Sequence, residues 1–242
     1  MNILFPIAGY GTRFKLKGFN EPKPFVKVKD KYIIEYALSS LKLKGKYYII
    51  TRSLEDRYIK ILNEIGEKYN LDIEIIDIKK DTSGQSETCY LVCDRINLDE
   101  QLIITNCDQY TPWNHEKFID FINISDFDGI VSTYKHYDVE LNKPGRYSYI
   151  KLNENGIATE LREKFAISDI SLNGIFYWKN GNLFKYAAEK LMSDKVTSER
   201  YVSLAYNYII KDGYKVTNYH MDKQEFVSLG SPEEVNMNLH LL

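Results

Sequence analysis

The sequence predicts a single α/β domain built on a mixed, mainly parallel central sheet with helices on both faces. Three observations lead there. The 242 residues, 44% of them hydrophobic, can bury one sizeable core. Through the first half, short β-branched runs alternate with segments whose apolar residues recur at helical spacing, the pattern of parallel strands joined by crossover helices. Beyond residue 129 the apolar runs follow one another with fewer helices between them, which points to mixed or antiparallel pairing. No Pro- or Ser-rich linker and no internal repeat divides the chain.

Taken in order, Asn2-Ile3-Leu4-Phe5 is the first strand, and a glycine-bearing segment follows it directly. Residues 32–38 carry apolar side chains at helical spacing, and residues 47–51 form a compact aliphatic and aromatic strand. Ser53 with Asp56 marks a helix start, since Tyr58, Ile61, Leu62 and Ile65 then recur at the period of a buried helix face. Residues 73–78 return to strand, the polar loop 79–85 leads into an amphipathic run over 87–95, and residues 101–105 are another buried strand. In the second half, 129–134, 147–152 and 171–178 read as strands, with a turn between two strands at residues 153–156. Asn180-Gly181 is a turn before a helix over 183–192. Near the end Ser231 can cap a helix, Pro232 suits its first turn, and Glu234 can reach back to the cap.

Several classes of function are disfavoured. A net charge of -2 gives no bias toward nucleic acid. The longest apolar stretches, such as residues 170–178, are too short and interrupted to cross a bilayer, so membrane insertion is not expected. Met1 leads straight into a strand without a basic n-region or cleavage site, so a cytoplasmic location is expected. Cys89, Cys93 and Cys107 form no Cys-x-x-Cys pair and read as small core residues. His115, His136, His220 and His240 show no metal-ligand spacing.

The chemistry gathers behind the first strand. Pro6-Ile7-Ala8-Gly9-Tyr10-Gly11-Thr12-Arg13-Phe14 is followed by a basic stretch and by Glu21-Pro22-Lys23-Pro24-Phe25. Gly9 and Gly11 lack a Cβ, so backbone N–H groups can approach anionic oxygens, with Arg13 and Lys23 adding charge at either end. A dinucleotide fingerprint wants a third glycine where Phe14 stands, and a P-loop wants Gly-Lys-Ser/Thr; neither is present. The competing reading of a bare glycine loop is a simple strand-ending turn. In an open α/β sheet ligands bind beyond the carboxyl ends of the strands. Asp108, just past the strand at 101–105, is placed there as a hard oxygen ligand for Mg²⁺.

Ala-Gly-x-Gly-Thr-Arg-Phe with Pro-Lys-Pro ten residues after Arg13 resembles the signature of the nucleotidyltransferases that activate phosphosugars and phosphoalcohols, the nucleoside-diphosphate-sugar pyrophosphorylase-like family. The resemblance spans nearly the whole chain. It implies a Rossmann-like fold of the GT-A type, with a nucleotide-binding subregion at 1–135 and an acceptor-binding subregion at 136–242. It also implies that Arg13, Lys23 and Asp108 are catalytic and that Ala8, Gly9, Tyr10, Gly11 and Thr12 hold the triphosphate. Gly84 and Gln85, in a polar loop opening a helix, would read the base. Glu163 would bind acceptor hydroxyls and Lys164 the acceptor phosphate, with Asn173-Gly174 as the small-residue turn facing the acceptor. Mg²⁺ is the implied cofactor, on Asp108. Many members carry a second metal-binding aspartate two residues before a glycine, and here that position is Ser228. Either Asp222, Glu225 or a water is then expected to complete the shell, or the metal is held mainly by Asp108 and the phosphates.

The implied reaction transfers a nucleoside monophosphate from a nucleoside triphosphate to a phosphorylated sugar, alcohol or amide and releases pyrophosphate. Likeness to short cytidylyltransferases favours CTP, and the implied setting is surface polysaccharide biosynthesis by a monomer or homodimer. Two alternatives stay open: a GT-A-type glycosyltransferase, although Asn106-Cys107-Asp108 is not an Asp-x-Asp motif, and a non-catalytic nucleotide-sugar binding protein.

Overall fold

In the computed structural model, which describes residues 1–194 and 199–242, the alternating first half becomes β1 (Asn2–Pro6), α1 (Thr12–Leu16), β2 (Lys27–Val28), β3 (Lys31–Tyr32), α2 (Ile33–Leu41), β4 (Lys46–Thr51), α3 (Asp56–Tyr69), β5 (Asp72–Asp77), α4 (Gln85–Tyr90) and β6 (Leu102–Thr105). The second half adds β7 (Gln109–Tyr110), α5 (His115–Ile124), β8 (Gly129–Lys135), β9 (Pro144–Leu152), β10 (Ala158–Phe165), β11 (Ile170–Trp178), α6 (Gly181–Ser193), α7 (Val202–Lys211), β12 (Val216–His220), β13 (Val227–Ser228) and α8 (Pro232–Asn238).

The main sheet runs β10-β9-β11-β6-β1-β4-β5, and β8 joins it beside β11 with β12 on its far side. β1 is parallel to both β4 and β6, and β4 to β5, with Leu4 opposite Tyr48 and Ile104. β11 pairs antiparallel with β6, β8 and β9, and β9 antiparallel with β10, while β12 runs parallel to β8, so the pairing in the second half is mixed. This is the change of character expected past residue 129. The β9–β10 hairpin closes at the expected turn, where the Asn153 side chain accepts from the amides of Asn155 and Ile157.

Side chains alternate across β1, so Leu4 faces one core while Ile3 and Phe5 face the other. The Leu4 side is covered by α6 and α7 through Phe184, Ala188, Val202 and Tyr206, with Trp178 stacked on Tyr206 at 3.9 Å. Leu38 of α2, Leu62 of α3 and Phe118 of α5 cover the other face. A smaller cluster joins Phe14 of α1 to Val26, Ile33, Val227 and Leu229. A five-residue helix cannot hold itself in water. Burial of Phe14, worth about 1.5–3 kcal/mol for a side chain of this size, therefore fixes α1 and the loop before it.

Local expectations were revised at three places. Ser53 does not cap α3: it adopts a left-handed conformation and gives its amide to the Asp77 carboxylate, and the helix starts after Glu55. The run over 87–95 is helical from Gln85 but stops at Tyr90, followed by a 3-10 turn. Ser231 caps α8 as expected, while the Glu234 side chain goes to Arg146 instead of back to the cap. The three cysteines are buried and unpaired, and among the described residues no helix is long and apolar enough to cross a membrane.

Candidate active site

One cleft of about 890 Å³ opens beyond the carboxyl ends of β1, β4 and β6 and continues to the residues that end β10. Ala8, Gly9, Tyr10, Gly11, Thr12 and Arg13 line it from the first loop, with Lys23 beside them. Gly84 and Gln85 line it from the start of α4, Asp108 from the segment after β6, and Glu163, Lys164, Asn173 and Gly174 from β10 and β11. Residues as far apart in sequence as Pro6 and Glu234, 228 positions, thus line one cleft.

The glycine loop turns into α1 at Gly11, whose φ of 62° lies in the left-handed region that glycine occupies without steric cost. Its carbonyl accepts from Phe14 and Lys15, and a Cβ there would sit 3.2 Å from the Cβ of Lys23. Lys23 opens a 3-10 turn between Pro22 and Pro24, closed by the Phe25 amide on the Pro22 carbonyl at 2.8 Å. Two prolines fix the backbone on both sides of this lysine. Its Nζ donates to Asp108 Oδ2 at 2.6 Å. Burial by itself would raise the Asp108 carboxyl, but the Lys23 ammonium outweighs it and holds the group below the usual aspartate value. Burial likewise acts to lower Lys23, and Asp108 more than reverses that.

On the expected base side, Gln85 Nε2 donates to Asn106 Oδ1 at 2.9 Å, while Glu87 accepts from both the amide and the hydroxyl of Ser83 at 2.7 Å. Arg52 was missed by the sequence reading. It follows β4 directly, stacks its guanidinium 4.0 Å from the Tyr10 ring centroid and pairs with Asp81, so it ties the glycine loop to the loop before α4. The rule that flagged Asp108, inspection of residues just past a strand, would have found it.

On the expected acceptor side, Glu163 accepts from the hydroxyls of Ser148 and Ser203. Burial pushes its carboxyl above the ordinary 4.5 despite these two bonds. Lys164, at φ 55°, reaches Glu199 at 3.3 Å and the Tyr201 hydroxyl. Asn173 departs from expectation. It is 2% exposed, its amide oxygen accepts from Ser132, and its amide nitrogen points to Met221 Sδ at 2.9 Å, so its polar groups are committed to the core. Gly174 leaves room for the Asn106 side chain, which occupies the position of a Cβ.

The raised Glu163 carboxyl gives a pH test. The folded chain holds this proton more tightly than the unfolded chain, so ionising Glu163 opposes folding; the penalty is absent below the ordinary value and grows as pH rises through the higher folded value. Glu163→Gln is expected to gain melting temperature relative to the parent as pH rises from 4 to 8, and to match it in acid. A pH-independent difference between the two melting curves counts against a buried, strained carboxylate.

The expected second metal ligands do not line the cleft. Asp222 and Glu225 cap each other around the 3-10 turn 223–225, with the Asp222 amide 2.9 Å from Glu225 Oε2. No group of three or more His, Cys, Asp or Glu suited to a metal occurs among the described residues. Around Asp108, however, hard oxygens converge. The position that a Cβ on Gly230 would take is 3.1 Å from Asp108 Oδ2, 3.2 Å from Glu234 Oε2 and 3.6 Å from Ser228 Oγ. Two carboxylates and a hydroxyl are the donor chemistry that Mg²⁺ takes from protein, so the residues present fit that ion.

Residues 7–235 match the family model described as nucleotidyl transferase. No curated protein matches the chain. Among solved structures, a nucleoside-diphosphate-sugar pyrophosphorylase from Vibrio cholerae RC9 superposes with a TM-score of 0.84 at 17% identity, over 98% of this chain and 99% of that one. A UDP-glucose pyrophosphorylase complexed with UDP-glucose gives 0.77 at 18% identity, over 99% and 97% of the two chains. The inositol-1-phosphate CTP transferase from T. maritima gives 0.78 at 15% identity, over 99% and 94%. At these identities the likeness establishes the fold, an α/β nucleotidyltransferase architecture.

Proposed function

The chain belongs to the nucleotidyl transferase family, and on that premise we propose that it transfers the nucleoside monophosphate of a triphosphate, CTP by preference, to the phosphate of a small phosphorylated acceptor and releases pyrophosphate. One observation carries this reading: a single cleft holds two separate cationic stations, Arg13 with Lys23 beside the glycine loop and Lys164 at the end of β10, with three strands between β10 and β1 in the sheet. Two anions have to meet in such a reaction, so alignment and charge neutralisation dominate, and no protein nucleophile is required.

In this reading residues 1–135 form the nucleotide half and 136–242 the acceptor half of one domain. The amides of residues 9–12 and Arg13 hold the β and γ phosphates that leave, and Lys23 lies against the α phosphate under attack. Lys164 holds the incoming phosphate, and Glu163, oriented by Ser148 and Ser203, accepts from acceptor hydroxyls. Gln85 and the adjoining backbone read the base. Magnesium, when bound at Asp108, supplies neutralisation of phosphate charge. The setting that fits is cytoplasmic supply of activated precursors for surface polysaccharide.

Pyrophosphate release is the direct test. Each of the four ribonucleoside triphosphates and dTTP, with magnesium, is paired with sugar 1-phosphates and with phosphorylated polyols, amino alcohols and amides. Acceptor-dependent release with one dominant triphosphate, CTP first, is the expected result. Consumption of a nucleotide sugar without pyrophosphate would identify a glycosyltransferase, and binding without turnover a sensor.

A further inference from the structure

The family's usual second carboxylate is absent at Ser228, yet the chain brings another acid to the same place. Glu234 lies on the first turn of α8, 5% exposed. Its two oxygens have different surroundings: Oε1 is paired with Arg146 at 3.1 Å, and Oε2 faces the gap over Gly230 that Asp108 Oδ2 also faces. Gly230 does not have a positive φ, so no backbone strain requires glycine there. What its missing side chain provides is the space on which the two carboxylates and the Ser228 hydroxyl converge.

The gap is held in place by independent ties. The Leu229 amide donates to the Asp108 carbonyl at 2.8 Å, and β13 pairs with β7 so that Ser228 stands opposite Gln109. Ser231 caps α8 through the Glu234 amide, and Arg146 also reaches the Ser231 hydroxyl at 3.4 Å. Arg146 compensates one carboxylate oxygen and Lys23 bonds the Asp108 oxygen that faces the gap, so the two acids are tolerated side by side before a cation arrives.

We propose that Glu234, across the space left by Gly230, replaces the missing aspartate as the second carboxylate of the magnesium site. Glu234 comes from a helix at the end of the chain, and Asp108 from the central sheet. The inference rests on the transfer reaction above, because that reaction is what calls for a divalent cation beside Asp108.

Mn²⁺ serves as the probe. Its binding is read by electron paramagnetic resonance on the intact chain, alone and with a non-hydrolysable α,β-methylene triphosphate, without turnover. Glu234→Gln is expected to weaken Mn²⁺ by about tenfold or more, and Gly230→Ala, which fills the gap and alters no carboxylate, to do likewise. Ser228→Asp added to Glu234→Gln is expected to restore affinity, while Asp222→Asn and Glu225→Gln leave it unchanged. If Glu234→Gln does not fold, Gly230→Ala alone decides. Parental Mn²⁺ affinity in the Glu234 and Gly230 variants, with loss in Asp108→Asn, overturns the role of Glu234 and leaves the reaction standing. A parent chain that binds no Mn²⁺ in either arm overturns the metal-assisted reaction and the inference together.

Discussion

Lys23→Ala is expected to lower turnover by about two or more powers of ten, and Arg13→Ala to do the same, because each removes a preorganised charge from a transition state in which two anions meet. The preorganisation is visible in the fold. Pro22 and Pro24 restrict the backbone around Lys23, the 3-10 turn directs its side chain to the cleft, and Asp108 holds the ammonium at 2.6 Å. Arg13 is exposed on α1, whose position depends on buried Phe14. The two variants should differ in stability. Losing Lys23 leaves the Asp108 carboxylate in a largely buried place without its partner, which is destabilising, whereas exposed Arg13 makes no such ion pair among the described residues. Melting curves separate folding losses from catalytic ones, and near-normal pyrophosphate release by both variants would sink the assigned reaction.

Asp108→Asn is expected to raise the magnesium concentration needed for half-maximal activity by about tenfold or more, and Ser228→Ala to change it little. A hydroxyl is a weak replacement for a carboxylate around a hard dication, and Ser228 Oγ is also the most distant of the three oxygens from the gap over Gly230, at 3.6 Å. Asparagine keeps the shape of Asp108 and one of its two acceptor oxygens, so the variant reports the loss of the charge together with one oxygen donor. Lys23 then loses the carboxylate that keeps it charged despite burial, so the activity of Asp108→Asn should also fall off toward alkaline pH sooner than the parent's. Equal magnesium responses in the two variants would mean that the metal lies elsewhere.

The two halves of the site were not equally legible. The glycine loop, Lys23 and Asp108 could be read because each lies within a few residues of a strand end, where a local pattern and the rule for α/β sheets coincide. Glu163 and Lys164, which line the same cleft, were proposed through resemblance alone, since a Glu-Lys pair has no local signature. Arg52 obeys the same strand-end rule and was overlooked. Arg146 and Glu234 had no signal: one opens an antiparallel strand, and the other resembles half of a capping box. Asn173 lines the cleft as expected, but a polar residue on a strand facing the cleft can still spend its amide on the core, as it does on Ser132 and Met221.

By itself, the sequence determined the α/β class, the change from parallel to mixed pairing, the anion loop and the likeness to phosphosugar-activating enzymes, because periodicity and strand-end motifs are local properties of the chain. Only the tertiary structure decided which carboxylates face each other. Asp108 and Glu234 are 126 positions apart, and their meeting depends on the pairing of β13 with β7, on the bond from Leu229 to Asp108, and on a side chain that Gly230 does not have. Convergence of charge across such a separation is set by packing, and no local pattern encodes it.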